Sequence, residues 1–281
     1  MCESAPSATD DEIATELLIY SETDYGGTLI VEGPEDELFL SFVLPPDLRV
    51  IKSSSGKSGV LKVLDESPLG SAVGLIDRDY NGIKHHLRMS NLTSIHFDEV
   101  AISDNIVQTR NHDLHTDALL ALRSAWLKAI ARRIFEKMKP QKTQNLILRQ
   151  LEKELGSLLD KAIDLAFIVA VIRVISLAGN ENWNIRGVAA ARWVEVNDEF
   201  ESFKQALVNA SGKTIQDFDE YFGPFFESVS TDLEGEKETL IGDHDLIDIF
   251  NQLIHKKYGV APSKGGLMTC LHTAEIGRAH V

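Results

Sequence analysis

At 281 residues, with 43% hydrophobic and 25% charged side chains, the chain has the ordinary balance of a soluble globular protein and enough length for two modest domains. A formal net charge of −15 argues against a protein that coats nucleic acid non-specifically, because that mode needs a basic surface to displace counterions. Cys2 and Cys270, near opposite ends, form neither a metal-ligand nor a disulfide spacing, and the longest apolar stretch, Leu165 to Ala178, is broken by Arg173 and too short to cross a bilayer. Met1 to Thr9 is polar and unlike a secretory leader, so a cytoplasmic protein without membrane attachment is expected.

Asp10 to Tyr20 carries Ile13, Leu17 and Leu18 behind an acidic start, which predicts an amphipathic helix within an N-terminal lead-in over residues 1–26. After the Tyr25-Gly26-Gly27 turn come a strand at Thr28 to Val31, a helix at about Glu35 to Val43 ended by Pro45-Pro46, and a strand at Leu48 to Ile51. A short helix at Gly59 to Asp65 leads to strands at Ala72 to Ile76 and Asn105 to Thr109. This alternation predicts a parallel α/β domain over residues 27–117, with right-handed crossovers.

From about Asp113 the apolar period becomes helical: Leu119, Leu122, Trp126, Ile130 and Ile134 form one stripe. Helices are then expected at Leu146 to Leu159 and Ala162 to Leu177, the latter central and buried. After a Gly179-Asn180 break they follow at Val188 to Val208, Thr214 to Phe226 and Asp243 to Tyr258, giving an all-α domain over residues 118–275. Ile276-Gly277-Arg278-Ala279-His280-Val281 reads as a non-native tail, the translation of a sequencing-adapter frame, and is set aside from fold reasoning.

The chemistry concentrates at two strand ends. Leu29-Ile30-Val31 runs into Glu32, and Val73-Gly74-Leu75-Ile76 runs into Asp77-Arg78-Asp79. In an open parallel sheet, carboxylates just past adjacent strands converge in the crevice where such sheets bind ligands. Oxygen donors gathered there suit a hard divalent ion, Mg²⁺ or Mn²⁺. The structural alternative is that Glu32 caps the helix beginning near Pro34 and that Asp77 and Asp79 shape a turn. Glu35 and Asp36 fall in a first helical turn, where acids complement the dipole. Ser53-Ser54-Ser55-Gly56-Lys57-Ser58-Gly59 is not a Walker loop, since position 51 is Ile and not Gly; it reads as a flexible polar loop that offers Lys57 as a cation for phosphate. His85 and His86 read as surface residues, and Trp126, Trp183 and Trp193 as core.

The Glu…Asp-x-Asp pattern resembles the toprim domain, the metal-binding fold of topoisomerases, DnaG-type primases and OLD-family nucleases. The closer resemblance is to the DUF4435 group, toprim proteins that include the effector of PARIS-type anti-phage systems. Val31-Glu32-Gly33-Pro34-Glu35-Asp36-Glu37 resembles that group's opening motif and Ile76-Asp77-Arg78-Asp79-Tyr80 its second. Asn111-His112-Asp113-Leu114 resembles its His-Asp segment, although His115 stands where the group has Glu; Gly242-Asp243-His244-Asp245-Leu246-Ile247 is similar to its late Gly-His-Asp-Leu-Leu string with one residue inserted. The resemblance implies a toprim-like parallel sheet flanked by helices and followed by an all-α domain. It implies Asp77 and Asp79 as metal ligands, Glu32 as a further ligand or general acid/base, and Asp113 or Asp117 at a second ion.

Three function classes follow. The resemblance favours a Mg²⁺- or Mn²⁺-dependent nuclease acting on RNA or DNA, a phage-defence effector with tRNA as a target. Topoisomerase chemistry would need a tyrosine on a gate domain too large for this chain, and a primase zinc module cannot be built from two cysteines. The alternative is a non-catalytic interaction module whose acidic helical domain docks a partner ATPase sensor. A homo-oligomer is compatible with either. Arg123, Lys128, Arg132, Arg133, Lys137, Lys139, Lys142, Arg149, Lys153 and Lys161 make a basic band, read either as a phosphodiester path or as solvated helix faces.

Overall fold

The computed structural model describes residues 8–20, 27–67, 72–87, 102–138, 144–178, 183–185, 200–260, 262–263 and 265–271. The Gly179-Asn180 break, most of the helix expected from Val188, Trp193 and the tail 276–281 lie outside the described residues. Two compact units emerge: one from the segments ending at Arg78 and Asp117, the other from the segment that begins at Asp79 and from Ala118 onward.

The first unit is α/β. In chain order it holds α1 (Asp10–Tyr20), β1 (Gly27–Val31), α2 (Pro34–Val43), β2 (Leu48–Lys52), α3 (Gly56–Glu66), β3 (Val73–Ile76) and β4 (Ile106–Gln108). The sheet is four-stranded with order β2-β1-β3-β4, and every pairing is parallel, with Leu29 opposite Val50 on one side and opposite Val73 on the other. α1 starts in a reciprocal cap: Glu12 N–H donates to Thr9 Oγ1 and Thr9 N–H to Glu12 Oε2, satisfying donors that a helix start leaves open. Ile13 and Leu17 of α1, Val60, Val63 and Leu64 of α3, and Ile30 and Ile76 of the central strands form one buried cluster.

The order β2-β1-β3-β4 contains a reversal. From β1 the chain crosses to β2 on one side, then returns past β1 to add β3 on the other. Successive connections therefore leave the C-terminal ends of β1 and β3 in opposite directions, which opens a crevice between them. Glu32 and Asp77 are the first residues past those two ends.

α3 starts earlier than the sequence suggests, and this corrects the reading of Ser53 to Gly59 as a flexible loop. Ser53 N–H donates to Val31 O at 2.8 Å, Ser53 Oγ–H to Gly56 O at 2.7 Å, and Ser54 N–H to Asp10 Oδ1 at 2.7 Å. The serines form a fixed strand-to-helix turn, and Lys57 sits in the first turn of α3.

The second unit is helical. α4 (Leu114–Ala121) leads into it, followed by α5 (Arg123–Met138), α6 (Gln144–Ala178), α7 (Phe200–Ser211), α8 (Ile215–Leu233), α9 (Lys237–Leu240) and α10 (Asp243–Tyr258). The expected stripe is buried throughout, from Leu119 through Leu122, Trp126 and Ile130 to Ile134, although the helix breaks at Leu122. α6 is one 35-residue helix where two were expected. Asp160-Lys161 interrupts its apolar pattern without breaking its backbone, since neither residue carries the penalty of Gly or Pro. At about 1.5 Å per residue it is roughly 50 Å long, and α5, α8, α9 and α10 all pack along it. Among the described residues no helix is long and apolar enough to cross a membrane.

Gly74 shows why the strand leading into the second motif carries glycine. A Cβ there would stand 2.6 Å from Leu64 Cδ1 and 2.7 Å from Val60 Cγ1, because α3 lies directly on β3. Gly74→Ala is expected to destabilise the fold by about 1–3 kcal/mol, the cost of overpacking. Urea denaturation should show a lower midpoint at unchanged slope; an unchanged midpoint would contradict this packing.

Candidate functional site

The β1 and β3 ends are joined through side chains. Glu32 Oε1 accepts the Asp77 N–H at 2.8 Å, and Asp77 Oδ1 accepts the Leu114 N–H at 3.1 Å, at the start of α4. The N-cap position of α2 is Gly33. That helix is served by Asp36, whose Oδ2 accepts the N–H of the N-cap residue Gly33 at 3.1 Å. Lys57 Nζ lies 3.9 Å from Glu32 Oε1, and both side chains are mostly buried. The structure thus brings Glu32, Asp77 and Lys57 together at the reversal in strand order.

The segment after β4 forms the neighbouring wall. Thr109 Oγ1 accepts the Arg78 N–H at 2.8 Å and donates to Asn111 O at 2.9 Å. Asp117 holds the turn by accepting N–H bonds from Arg110 and Asn111 and one from Asn111 Nδ2. Asp113 caps α4, with Oδ1 accepting the Thr116 N–H at 2.7 Å, while His112 Nδ1 lies 3.4 Å from Asp113 Oδ2. Asp113 and Asp117, both candidates for a second ion, thus have visible structural tasks.

Asp79, two residues past Asp77, adopts φ +48°, a left-handed conformation that Asp tolerates better than most residues. It belongs to the helical unit, as does the turn that follows it. There Tyr80 is half-buried with its hydroxyl enclosed, and the hydroxyl pKa is pushed up to about 12, first by that burial, with Arg173 opposing the shift and Asp245 and Asp79 adding to it. Arg173, which interrupts the apolar run of α6, is paired through both terminal nitrogens with the Asp245 carboxylate. His86 Nδ1 lies 3.7 Å from Glu236 Oε1, and Trp126 and Trp183 are both buried.

Compared with known proteins, the chain matches no family model, no curated protein and no solved structure. The reading of the site therefore rests on its own chemistry. Among the described residues, no set of three or more His, Cys, Asp or Glu side chains is arranged to hold a metal ion. Glu32 and Asp77 remain a pair of hard oxygen donors at adjacent strand ends. A carboxylate has about four lone-pair sites, so one amide contact leaves it able to ligate. Mg²⁺ is commonly held by only one or two carboxylates together with waters and substrate phosphates. The pair fits that mode and not a closed protein cage.

Sequence reasoning read Asp36 as an acid complementing a helix dipole and His115 as a departure from a motif, and did not bring the two together. Burial pushes the Asp36 carboxyl above its ordinary range; the neighbouring His115 and the Gly33 N–H oppose this, while the Asp113 and Glu35 charges add to it. His115 is itself buried, edge-on to Phe39 with ring centroids 5.3 Å apart. The available signal was Asp36 at the third helical position behind Gly33-Pro34, a placement from which an acid reaches back to the N-cap. Because the folded state holds the Asp36 proton more tightly than the unfolded chain does, stability falls as pH rises from the ordinary value of 3.8 through the raised one. Asp36→Asn keeps an oxygen for Gly33 and removes the titration. Chemical unfolding across that pH range should lose this downward slope, and the variant should be at least as stable as the wild type at pH 7; an unaltered slope would refute the assignment.

Proposed function

We propose that the chain is a metal-dependent phosphodiesterase of the toprim kind, acting on RNA or DNA with Mg²⁺ or Mn²⁺, and of the DUF4435 group that its motifs resemble. The observation that carries the reading is the placement of Glu32 and Asp77 side by side at the switch point of a parallel sheet, with Lys57 beside Glu32. A bound divalent ion would supply Lewis acidity toward a phosphoryl oxygen and a lowered pKa for water. Asp77 and Glu32 would hold it, together with waters and substrate phosphates. Glu32 is also placed to hold or release a proton next to Lys57. The Lys57 ammonium faces the charge that grows on phosphate during transfer, where a fixed cation favours the transition state. A phage-defence role with tRNA as the target belongs to this reading by resemblance alone.

One observation favours the second reading, a non-catalytic module that docks a partner ATPase. Both carboxylates accept backbone N–H bonds and so have structural work without a metal. The test must separate charge from shape, and amide variants do so by keeping an acceptor oxygen. Calorimetric titration of Mn²⁺ into wild type, Glu32→Gln and Asp77→Asn, with cleavage of total tRNA and plasmid on the same samples, is expected to show binding weakened about tenfold or more in each folded variant, the order of one lost charged contact. Cleavage should fall with it. A folded wild type that binds no metal would remove the nuclease reading and leave the docking module.

A further inference from the structure

The helical unit holds a cavity of about 640 Å³ whose lining includes Tyr80, Arg173, Ser176, Trp183, Asn184 and Ser211. Sites for small organic molecules fall between roughly 300 and 1,000 Å³. Trp183 is 6% exposed, yet its indole N–H has no hydrogen-bond acceptor among the described residues. A buried donor left unmet costs about 1–3 kcal/mol, a deficit that an acceptor on a ligand removes. Ser211 Oγ accepts the Asn184 backbone N–H at 3.0 Å, and a hydroxyl that accepts still has its own proton to give.

The charges around the cavity decide the class of ligand. Arg173 is the cation among the described lining residues, and the Asp245 carboxylate already pairs with it through two nitrogens, so it has little positive charge left for a phosphate. The Lys213 ammonium lies 4.6 Å from the Trp183 ring centroid, and Phe222 meets that ring at 4.9 Å, so the indole is closed to stacking there and its N–H is the group left unmatched among the described residues. Leu177 and Ile185 supply apolar wall. A neutral planar ring with acceptors on its edge and hydroxyls on its appendage matches every one of these groups.

We infer that this cavity is a nucleoside site, in which the base edge accepts from the Trp183 indole N–H and the ribose faces Ser176, Asn184 and Ser211. The nucleoside comes either as a free molecule or as one unpaired residue of a strand. The inference does not rest on the metal-dependent reading. Tyr80, which lines the cavity, directly follows Asp79, so occupancy bears on the end of the Asp-x-Asp turn.

The test is a fluorescence titration of the full chain with 2-aminopurine riboside and, in a parallel arm, with a short single-stranded RNA carrying one internal 2-aminopurine. Two variants accompany it. Trp183→Phe keeps an aromatic ring and loses the N–H; Ala210→Trp fills the cavity from an exposed position outside the core. Saturable binding by the wild type is expected, weakened about tenfold or more in each variant that retains the wild-type circular dichroism and melting temperature. Binding of the riboside assigns the free molecule, and binding of the RNA alone assigns a strand residue. No saturable binding in either arm, or unchanged affinity in a folded variant, overturns the proposal.

Discussion

The amide hydrogens left open where a parallel sheet ends are the constraint around which the first unit is organised. Past its last ladder bond each strand must find new acceptors, since a buried unpaired N–H costs as much as a lost hydrogen bond. Here the acceptors are the motif side chains themselves. Glu32 at the end of β1 takes the first amide beyond β3, Asp77 takes the first amide of α4, and Thr109 beyond β4 takes the amide of Arg78. One relay of side chains thus links three strand ends and a helix start. The acids are fixed by the fold before any ligand arrives, which is the preorganisation that electrostatic catalysis depends on.

Such fixing has an electrostatic cost. Glu32, Asp36, Asp77 and Asp113 are confined to one edge of a small sheet, and the upward push on the Asp36 carboxyl registers how far burial and neighbouring acids oppose ionisation there. Lys57 and His115 oppose that strain at two points, and a divalent cation would oppose it more strongly than either. A phosphodiester approaching without a cation would meet repulsion. Under the proposed function, an anionic substrate would therefore come to this edge only together with a metal.

The strands and most helix starts were legible because apolar runs, Gly and Pro mark them locally. Asp243–Tyr258 and Asp10–Tyr20 fall where their patterns place them. What was not legible depended on distant residues. The serine turn before α3 looks flexible in sequence because its order comes from Asp10, more than forty residues away. α6 reads as two helices because Asp160 and Lys161 interrupt its apolar pattern, whereas Asp160 only turns outward to meet Arg123. Glu32 was legible as a strand-end acid, but its partner amide at Asp77 is fixed by sheet order, which local pattern does not encode. The proximity of Asp36 and His115 was not legible for the same reason: it is set by how β1 and the segment after β4 end, not by spacing along the chain.

Two features that looked unrelated in sequence meet in the helical unit. Arg173 breaks a mostly buried apolar stretch, and Asp245 lies in the late Gly-Asp-His-Asp-Leu string. Each accounts for the other, because a charge in a helical core is tolerated only when paired, and both nitrogens of the guanidinium fork are matched. The pair stands beside Tyr80, the residue that ends the second motif, whose enclosed hydroxyl has its pKa pushed up by burial. The conformation of the turn holding Asp79 is therefore set from the helical unit, while Asp77 is set from the sheet. The amide of Arg78, between the two aspartates, is held by Thr109.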